Sequence, residues 1–470
     1  MPHRHPDDHP IGALLAPDIL TLLDESPSEV ANETSDIHPA DLADVAEALP
    51  RDRVPALLKA LGAERGAEVL EYLNEELRTE VLEAMSAEDA AELVGEMPPD
   101  ERADVLEEMD EEHAEGILDE MPQAERRETQ TLLAFDPDSA GGLMTTEFVA
   151  VSESLTADEA LSEVRAIARD GRKEVLYAIY VTNVAGQIRG VMSLKELLAA
   201  PTGATVADVM HTEVRHVHPN ADREEVARLT SEYDLVAIPV VDDHEMVVGV
   251  VTVDDVIDVI QEEQTEDAQK FGGMEALDEP YMQMGFVAML RKRAGWLSAL
   301  FLGEMLTATA IGYFEIEISK AVVLALFIPL IVSSGGNSGS QATSLIIRAL
   351  ALREVRLKDW WRVAVRELPT GLALGSILGA IGALRIVLWQ RVGFKDYGEH
   401  YGLVAMTVAL SLVGVVMFGT LAGSMLPFVL RRLGFDPASA SAPFVATLVD
   451  VTGLVIYFTI ALFILRGTLL

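Results

Sequence analysis

Pro443-Phe-Val-Ala-Thr-Leu-Val-Asp-Val-Thr452 opens an apolar run that continues through Gly453 to Leu465. A bilayer-spanning helix takes roughly 20 residues, so the run is long enough to cross. Asp450 stands about two turns inside it. A carboxylate at membrane depth costs roughly 2.5–3.5 kcal/mol on insertion scales and usually faces a bundle interior or a water path. One reading is an acid that only caps or pairs with a neighbouring helix. The other is a cation site, and the surrounding chain favours it.

Four more apolar runs precede it, roughly Gly295–Tyr313, Lys320–Leu350, Leu368–Trp389 and Tyr401–Leu430. The second and fourth exceed a straight crossing, which predicts tilt or breaks. Arg291, Lys292, Arg293, Arg348, Arg353, Arg356, Lys358, Arg362, Arg366, Arg431 and Arg432 flank one side, against Lys320, Arg391, Lys395 and Arg466 on the other. The richer side is expected to be cytoplasmic. This puts the N-terminus inside the cell and, after five spans, the C-terminus outside. No basic-then-apolar leader opens the chain.

The second span carries Ser333-Ser-Gly-Gly-Asn-Ser-Gly-Ser-Gln341. Its glycines predict a weakened or broken helix whose freed carbonyls, with Asn337, could coordinate an ion. The alternative is a close-packing face, since Gly335 and Gly339 have the Gly-x-x-x-Gly spacing. The first span holds a second acid, Glu304. Hard Mg²⁺ takes oxygen ligands, usually one or two carboxylates with several waters retained. With no cysteine in the chain, a thiolate site is excluded.

The formal charge of -41 over 470 residues falls mostly on the polar half before about Asp267. A nucleic-acid binder would carry a basic face, so no nucleic-acid partner is expected. Leu49, Leu73, Met97 and Met121 recur every 24 residues, and Leu61, Met85, Met109 and Leu133 follow each by 12. Pro50, Pro98, Pro122 and Asn74 come directly after the leading four. The pattern predicts an all-α helical solenoid of paired short helices over 36–135, behind a flexible tail over 1–35.

Beyond Asp136 the pattern turns to short β-branched runs between amphipathic helices. Glu174–Val181, Gln187–Met192, Val236–Val241 and Met246–Val251 read as strands, and Thr156–Ala168 and Ala221–Tyr233 as helices. Gly190-Val-Met-Ser-Leu-Lys-Glu196 answers Gly249-Val-Val-Thr-Val-Asp-Asp255. This duplicated α/β unit resembles a tandem CBS pair, over 136–203 and 204–262. In that family the turn can hold an adenosine ribose and phosphate, which makes Thr252 and Asp255 nucleotide candidates and ATP a candidate regulator. The first copy has Ser193 and Glu196 instead, and many such pairs only dimerise and transmit force. A connecting helix over 256–280 then presents Asp258, Glu262, Glu263, Glu266 and Asp267, which repel one another unless cations neutralise them.

Ala140-Gly-Gly-Leu-Met-Thr145, Gly335-Gly-Asn-Ser-Gly339, Leu345-Ile-Ile-Arg-Ala-Leu350, Asp436-Pro-Ala and Leu448-Val-Asp-Val-Thr-Gly453, in this order of parts, resemble the MgtE family of magnesium channels/transporters. The resemblance covers nearly the whole chain after about Asp36. It implies a multidomain homodimer in the bacterial inner membrane, with a five-helix transmembrane domain over 290–470 and a pore on the twofold axis. It implies Asp450 as the selectivity acid with the Ala446 carbonyl beside it, and the connecting helix as a plug that closes the pore when cytosolic Mg²⁺ binds. The sensor acids carried over are Asp222, Glu224, Asp234, Asp255, Asp258, Glu263, Glu266 and Asp267, with Glu68, Glu88 and Glu92 in the solenoid. Two departures stand out: Ala442 before Pro443, where some relatives carry a polar residue, and Glu304, where a small or apolar residue is expected. An enzyme is disfavoured, for there is no nucleophile–base arrangement, phosphate loop or metal–His cluster. The rival transport reading is a nucleotide-gated carrier of another divalent cation such as Co²⁺.

Overall fold

The 24-residue spacing is the spacing of helix pairs. The computed structural model describes residues 10–170, 175–277, 281–282 and 284–469, in two units divided at Glu262/Glu263. In the first, helices follow one another as α1 Pro10–Glu25, α2 Val30–Glu33, α3 Pro39–Ala48, α4 Val54–Leu61, α5 Ala63–Glu71, α6 Glu75–Ala84, α7 Ala87–Gly95, α8 Pro99–Glu108, α9 Glu111–Glu120 and α10 Gln123–Leu132. Leu49, Leu73, Met97 and Met121 each stand just past a helix end, and all are buried. From α3 on, odd helices stack on odd and even on even, which makes a two-layered solenoid. Asn74, Ser86 and Asp110 cap α6, α7 and α9 with their side chains.

The expected tail over 1–35 needs correcting. Ala16, Ile19 and Leu23 form an apolar stripe on α1 and join the solenoid core, as does Val30. Residues 1–9 of that tail lie outside the described residues.

The α/β part comprises β1 Phe148–Ser152, α11 Ala157–Asp170, β2 Val175–Thr182, β3 Ile188–Ser193, α12 Leu194–Ala199, α13 Val206–Val209, α14 Arg223–Glu232, β4 Ala237–Val241 and β5 Val247–Thr252. β1 runs parallel to β2, β2 antiparallel to β3, and β4 antiparallel to β5. Glu174, expected to start a strand, lies outside the described residues. Each copy's lead-in completes the other's sheet: Thr145 bridges Val250, and His211 bridges Val191. Glycine is required where they meet. A Cβ on Gly249 would lie 2.7 Å from the Thr145 carbonyl oxygen, and one on Gly190 would lie 2.9 Å from that of His211.

α15, Val253–Phe271, begins in the first unit and ends in the second. It stops short of the expected 280, because Gly272-Gly273 follow and Gly273 takes a left-handed φ of 78°. Residues 278–280 lie outside the described residues. The second unit continues with α16 Phe286–Tyr313, α17 Glu315–Lys320, α18 Val322–Ala325, α19 Ile328–Ala351, α20 Trp360–Val392, α21 Tyr401–Arg432 and α22 Ala442–Leu465. Among the described residues five helical spans, with α18 and α19 counted as one, are long and apolar enough to cross a membrane.

The second span is broken, but not where its glycines predict. α19 runs unbroken through Ser333–Gln341, and the interruption falls at Leu326–Phe327. There the Leu324 carbonyl accepts a hydrogen bond from the Tyr457 hydroxyl at 2.9 Å, so the break is satisfied by protein. The glycines instead pack. A methyl on Gly419 or Gly423 of α21 would run into the carbonyl oxygens of Gly335 and Gly339. Thr343 donates to the Gly423 carbonyl at 2.9 Å, and Ser338 and Thr420 share a 2.7 Å bond. This is small-residue helix packing reinforced by interhelical hydrogen bonds.

Candidate functional site

α22 begins with a cap. Ser441 Oγ accepts from the Phe444 amide at 3.3 Å and from the Trp296 indole at 3.2 Å, and Pro443 fits the first turn. The helix then crosses α19 antiparallel. Ser340 donates to the Ala442 carbonyl at 3.3 Å, and a Cβ on Gly336 would lie 3.5 Å from Ala446. Asp450, one turn beyond Ala446, is half-buried. Its carboxyl stands within hydrogen-bonding reach of that of Glu304 on α16. The Ala446 carbonyl lies within a regular helix, so its second lone pair is what remains for a ligand.

Asn337 lies on the exposed face of α19 with Ser333, Gln341 and Ser344, while Gly335, Gly336, Ser338 and Gly339 are buried. Polar residues at membrane depth belong on a cavity or a protein contact, not in lipid. This face is therefore the one to meet water or another chain.

The acids before the membrane separate into two groups. In the first unit, Asp255 opens α15 and accepts from Thr252 Oγ1 at 2.5 Å. Its carboxyl is pushed up to about 6, chiefly by burial, then by Asp254 and Asp258. Set against it on α8 are Asp100, Glu101 and Asp104. Burial pushes Glu101 to about 7 and Asp104 to about 8, and holds Asp100 well above the usual carboxylate range with Asp255 adding to it. Asp100 is only 9% exposed, and its Oδ1 has no hydrogen-bond partner. Sequence reading named Asp255 and Asp258 and missed Asp100, Glu101 and Asp104. Asp100 and Asp104 lie four apart, on one helical face, but so do many of the 76 acids of this chain.

The solenoid acids expected as sensors lie elsewhere. Glu68 is exposed beside Arg65 at 3.8 Å. Glu88 and Glu92 are exposed around Lys59, which bonds Asp89 at 2.7 Å. Asp222 caps α14 by accepting from the Glu224 amide at 2.8 Å, and both side chains are exposed. Asp234 is exposed with a left-handed φ of 51°. In the second unit, Glu263, Glu266 and Asp267 come together with Asp436 of the α21–α22 loop. Burial and then Asp436 push Asp267 up to about 6. Lys270 bridges Glu266 and Asp436, reaching the latter at 2.7 Å.

Of the two nucleotide-type turns, the second keeps Thr252 and Asp255 bonded to each other. In the first, the Ser193 amide and hydroxyl both donate to Glu196 Oε2 at 2.8 Å, and His211 Nε2 lies 2.7 Å from Glu196 Oε1. These bonds, the Ser193 amide first, hold Glu196 down at about 2.

Five apolar spans, an acid on the last, and acidic helical and CBS-type domains ahead of them are the parts of a multidomain membrane protein. The family model for the MgtE divalent cation transporter matches residues 328–460, that for the MgtE intracellular N domain matches 37–138, and CBS domains match 140–203 and 206–262. Magnesium transporter MgtE of Thermus thermophilus is 43% identical over 342 residues, 73% of each chain. Its Enterococcus faecalis counterpart is 33% identical over 73% of this chain and 72% of its own. A solved structure of the soluble part of a magnesium transporter is similar over 54% of this chain and 99% of its own, with TM-score 0.51 and 27% identity. The chain belongs to the MgtE family.

Proposed function

We propose that the protein is a Mg²⁺-gated channel that admits Mg²⁺ down its electrochemical gradient across the bacterial inner membrane, as a homodimer with a cytoplasmic N-terminus. The observation that carries this is Asp450, a half-buried acid one turn from Ala446 on a helix seated against the glycine face of α19. Mg²⁺ keeps most of its water and needs few carboxylates, so one such acid from each of two chains suffices as a filter. Asn337 contributes from the exposed face of α19.

The closing signal is read by the acids of α8 and α15. Asp100, Glu101, Asp104 and Asp255 fit a hard cation: all carry oxygen, they crowd one another, and a buried Asp100 oxygen lacks a partner. A dication there supplies the positive charge that lets them ionise together. Without it the four carboxyls resist approach and loosen α8 from the start of α15. Glu263, Glu266, Asp267 and Asp436 have the same character at the far end of that helix, where Lys270 already neutralises part of the charge. Through α15 the CBS pair and the membrane helices share one lever. Switching it from mostly open to mostly closed takes a coupling of a few kcal/mol. Thr252 and Asp255 give a nucleotide such as ATP a place to modulate the same turn.

The test is Mg²⁺ influx into liposomes carrying the full-length protein. Wild type passes Mg²⁺ down its gradient and Asp450→Ala does not. Equal flux in both would sink the assignment of Asp450 to the pore.

A further inference from the structure

α16 meets the rest of the membrane unit along one seam. Of its residues only Thr307 is buried, and its principal partner is α22. Gly303 sets the crossing: a Cβ there would stand 2.9 Å from Thr447 Cγ2. Glu304 follows Gly303, Asp450 lies almost one turn past Thr447, and the two carboxyl groups stand within hydrogen-bonding reach of each other. Almost one turn beyond Glu304 comes Thr307, 9% exposed, with a hydroxyl that has no hydrogen-bond partner. Nearer the start of both helices the Trp296 indole donates to Ser441 on the same seam.

The seam thus carries polar groups at successive levels through a segment long enough to span the bilayer. Packing two apolar helices requires none of them, and carboxyls in hydrocarbon are costly. A buried hydroxyl without a partner, almost one turn along the helix from Glu304, is what a seam offers when water or a hydrated ion completes it.

We infer that Glu304 is a specificity-determining residue of the permeation path. With Asp450 it presents two carboxylates per chain to a hydrated divalent cation. The inference rests on the pore reading above and deepens it. Asp450 alone gives each chain one negative charge. Adding Glu304 doubles the field at the site, and a dication gains twice what a monovalent ion gains. Glu304 therefore sets divalent affinity and the preference for divalent over monovalent ions, whereas Asp450 is needed for conduction itself.

The experiment uses full-length protein in planar bilayers or liposomes, with Mg²⁺ and K⁺ as the ions. Glu304→Gln is expected to raise the half-saturating Mg²⁺ concentration about tenfold and to lower the Mg²⁺/K⁺ permeability ratio to a similar degree, with flux retained at saturating Mg²⁺. Glu304→Asp keeps the charge but withdraws it by one methylene, and shifts both readouts in the same direction by less. An unchanged half-saturation and ratio in Glu304→Gln, while Asp450→Asn abolishes flux, overturns this inference and leaves the pore reading standing. Undiminished flux in Asp450→Asn overturns both. Should Glu304→Gln carry no flux at all, Glu304→Asp decides: a shifted ratio supports the assignment, and a wild-type ratio overturns it.

Discussion

The two CBS copies repeat one turn and use it in opposite ways. In the first, Ser193, Glu196 and His211 satisfy one another, and Glu196 is held down at about 2. In the second, Asp255 has Thr252 as partner but faces the buried acids of α8 and is pushed up to about 6. The backbone frame is the same in both. Gly190 and Gly249 admit the lead-in of the opposite copy, and each copy lends a bridge to the other's sheet. The fold therefore tolerates either chemistry at the turn. What differs is which neighbour faces it: a histidine hydrogen-bonds the first turn, and carboxyls crowd the second. One turn is closed on itself, and the other faces buried carboxyls.

The largest expected effect breaks that difference directly. Asp255→Asn removes one of the crowded charges. The full-length protein in detergent without divalent cations should then gain thermal stability at pH 7.5, by about 2 kcal/mol, the order of an unmatched buried polar group. Flux in liposomes should no longer fall as internal Mg²⁺ rises. Glu196→Gln in the first copy should leave the Mg²⁺ response intact. A variant of Asp255 that still closes normally would show that the second turn is no sensor.

Next in size is the shared frame. Gly249→Ala and Gly190→Ala each drive a methyl against the backbone of a lead-in segment, at 2.7 and 2.9 Å. Each should cost about 1–3 kcal/mol, the usual cost of overpacking, and the two costs should be alike. Paired thermal melts check this. A loss at only one position would mean that the pseudo-symmetry stops short of energetics.

Much of this frame was legible in the sequence. Four of the five strands and the two longer helices were readable within a few residues, because β-branched runs and Gly punctuation report local backbone preference, whereas β1 and the short α12 and α13 were not read. The solenoid was readable because Leu49, Leu73, Met97 and Met121 keep one period and all point inward. Two things were not legible. Ser333–Gln341 could be a break or a packing face, since glycine permits both; the facing glycines of α21 decide it, and they lie some 80 residues away. Asp100 and Asp104 could not be told from the other acids of an acidic chain, because burial and an orphaned oxygen are tertiary facts.

The pH dependence sharpens the comparison through its sign. Asp255, Glu101 and Asp104 have folded values raised to about 6, 7 and 8. Between the unfolded values near 4 and these, the folded protein holds more protons than the unfolded chain, so stability falls as pH rises. Without divalent cations the melting temperature should therefore decline from pH 5 to pH 8, and added Mg²⁺ should restore more of it at pH 8 than at pH 5. Glu196 works the other way. Its value is depressed to about 2, so what it contributes is present above about 4.5 and is lost only as pH falls toward 2. A melting temperature flat from pH 5 to 8 without Mg²⁺ would mean that the second turn is not strained by its charges.

The smallest effect isolates the first turn. Ser193→Ala removes the hydroxyl that accepts from the Glu196 amide at 3.2 Å and donates to its carboxylate at 2.8 Å. Losing such a cap costs about 1 kcal/mol. The Ser193 amide and His211 still hold Glu196, so the turn should keep its shape. The loss should be the same with and without Mg²⁺, because nothing at this turn waits for a cation. Thr252→Ala is the matched change in the second copy, and there the cost should depend on Mg²⁺. The Thr252 hydroxyl stabilises a carboxylate that its acidic neighbours discourage. At pH 5.5, below its raised value of about 6, Asp255 is largely neutral without cations and loses little; with Mg²⁺ it is ionised and loses a donor. Melting both variants with and without Mg²⁺ gives a double difference. A zero double difference would mean that the two turns, for all their unlike neighbours, respond to the cation alike.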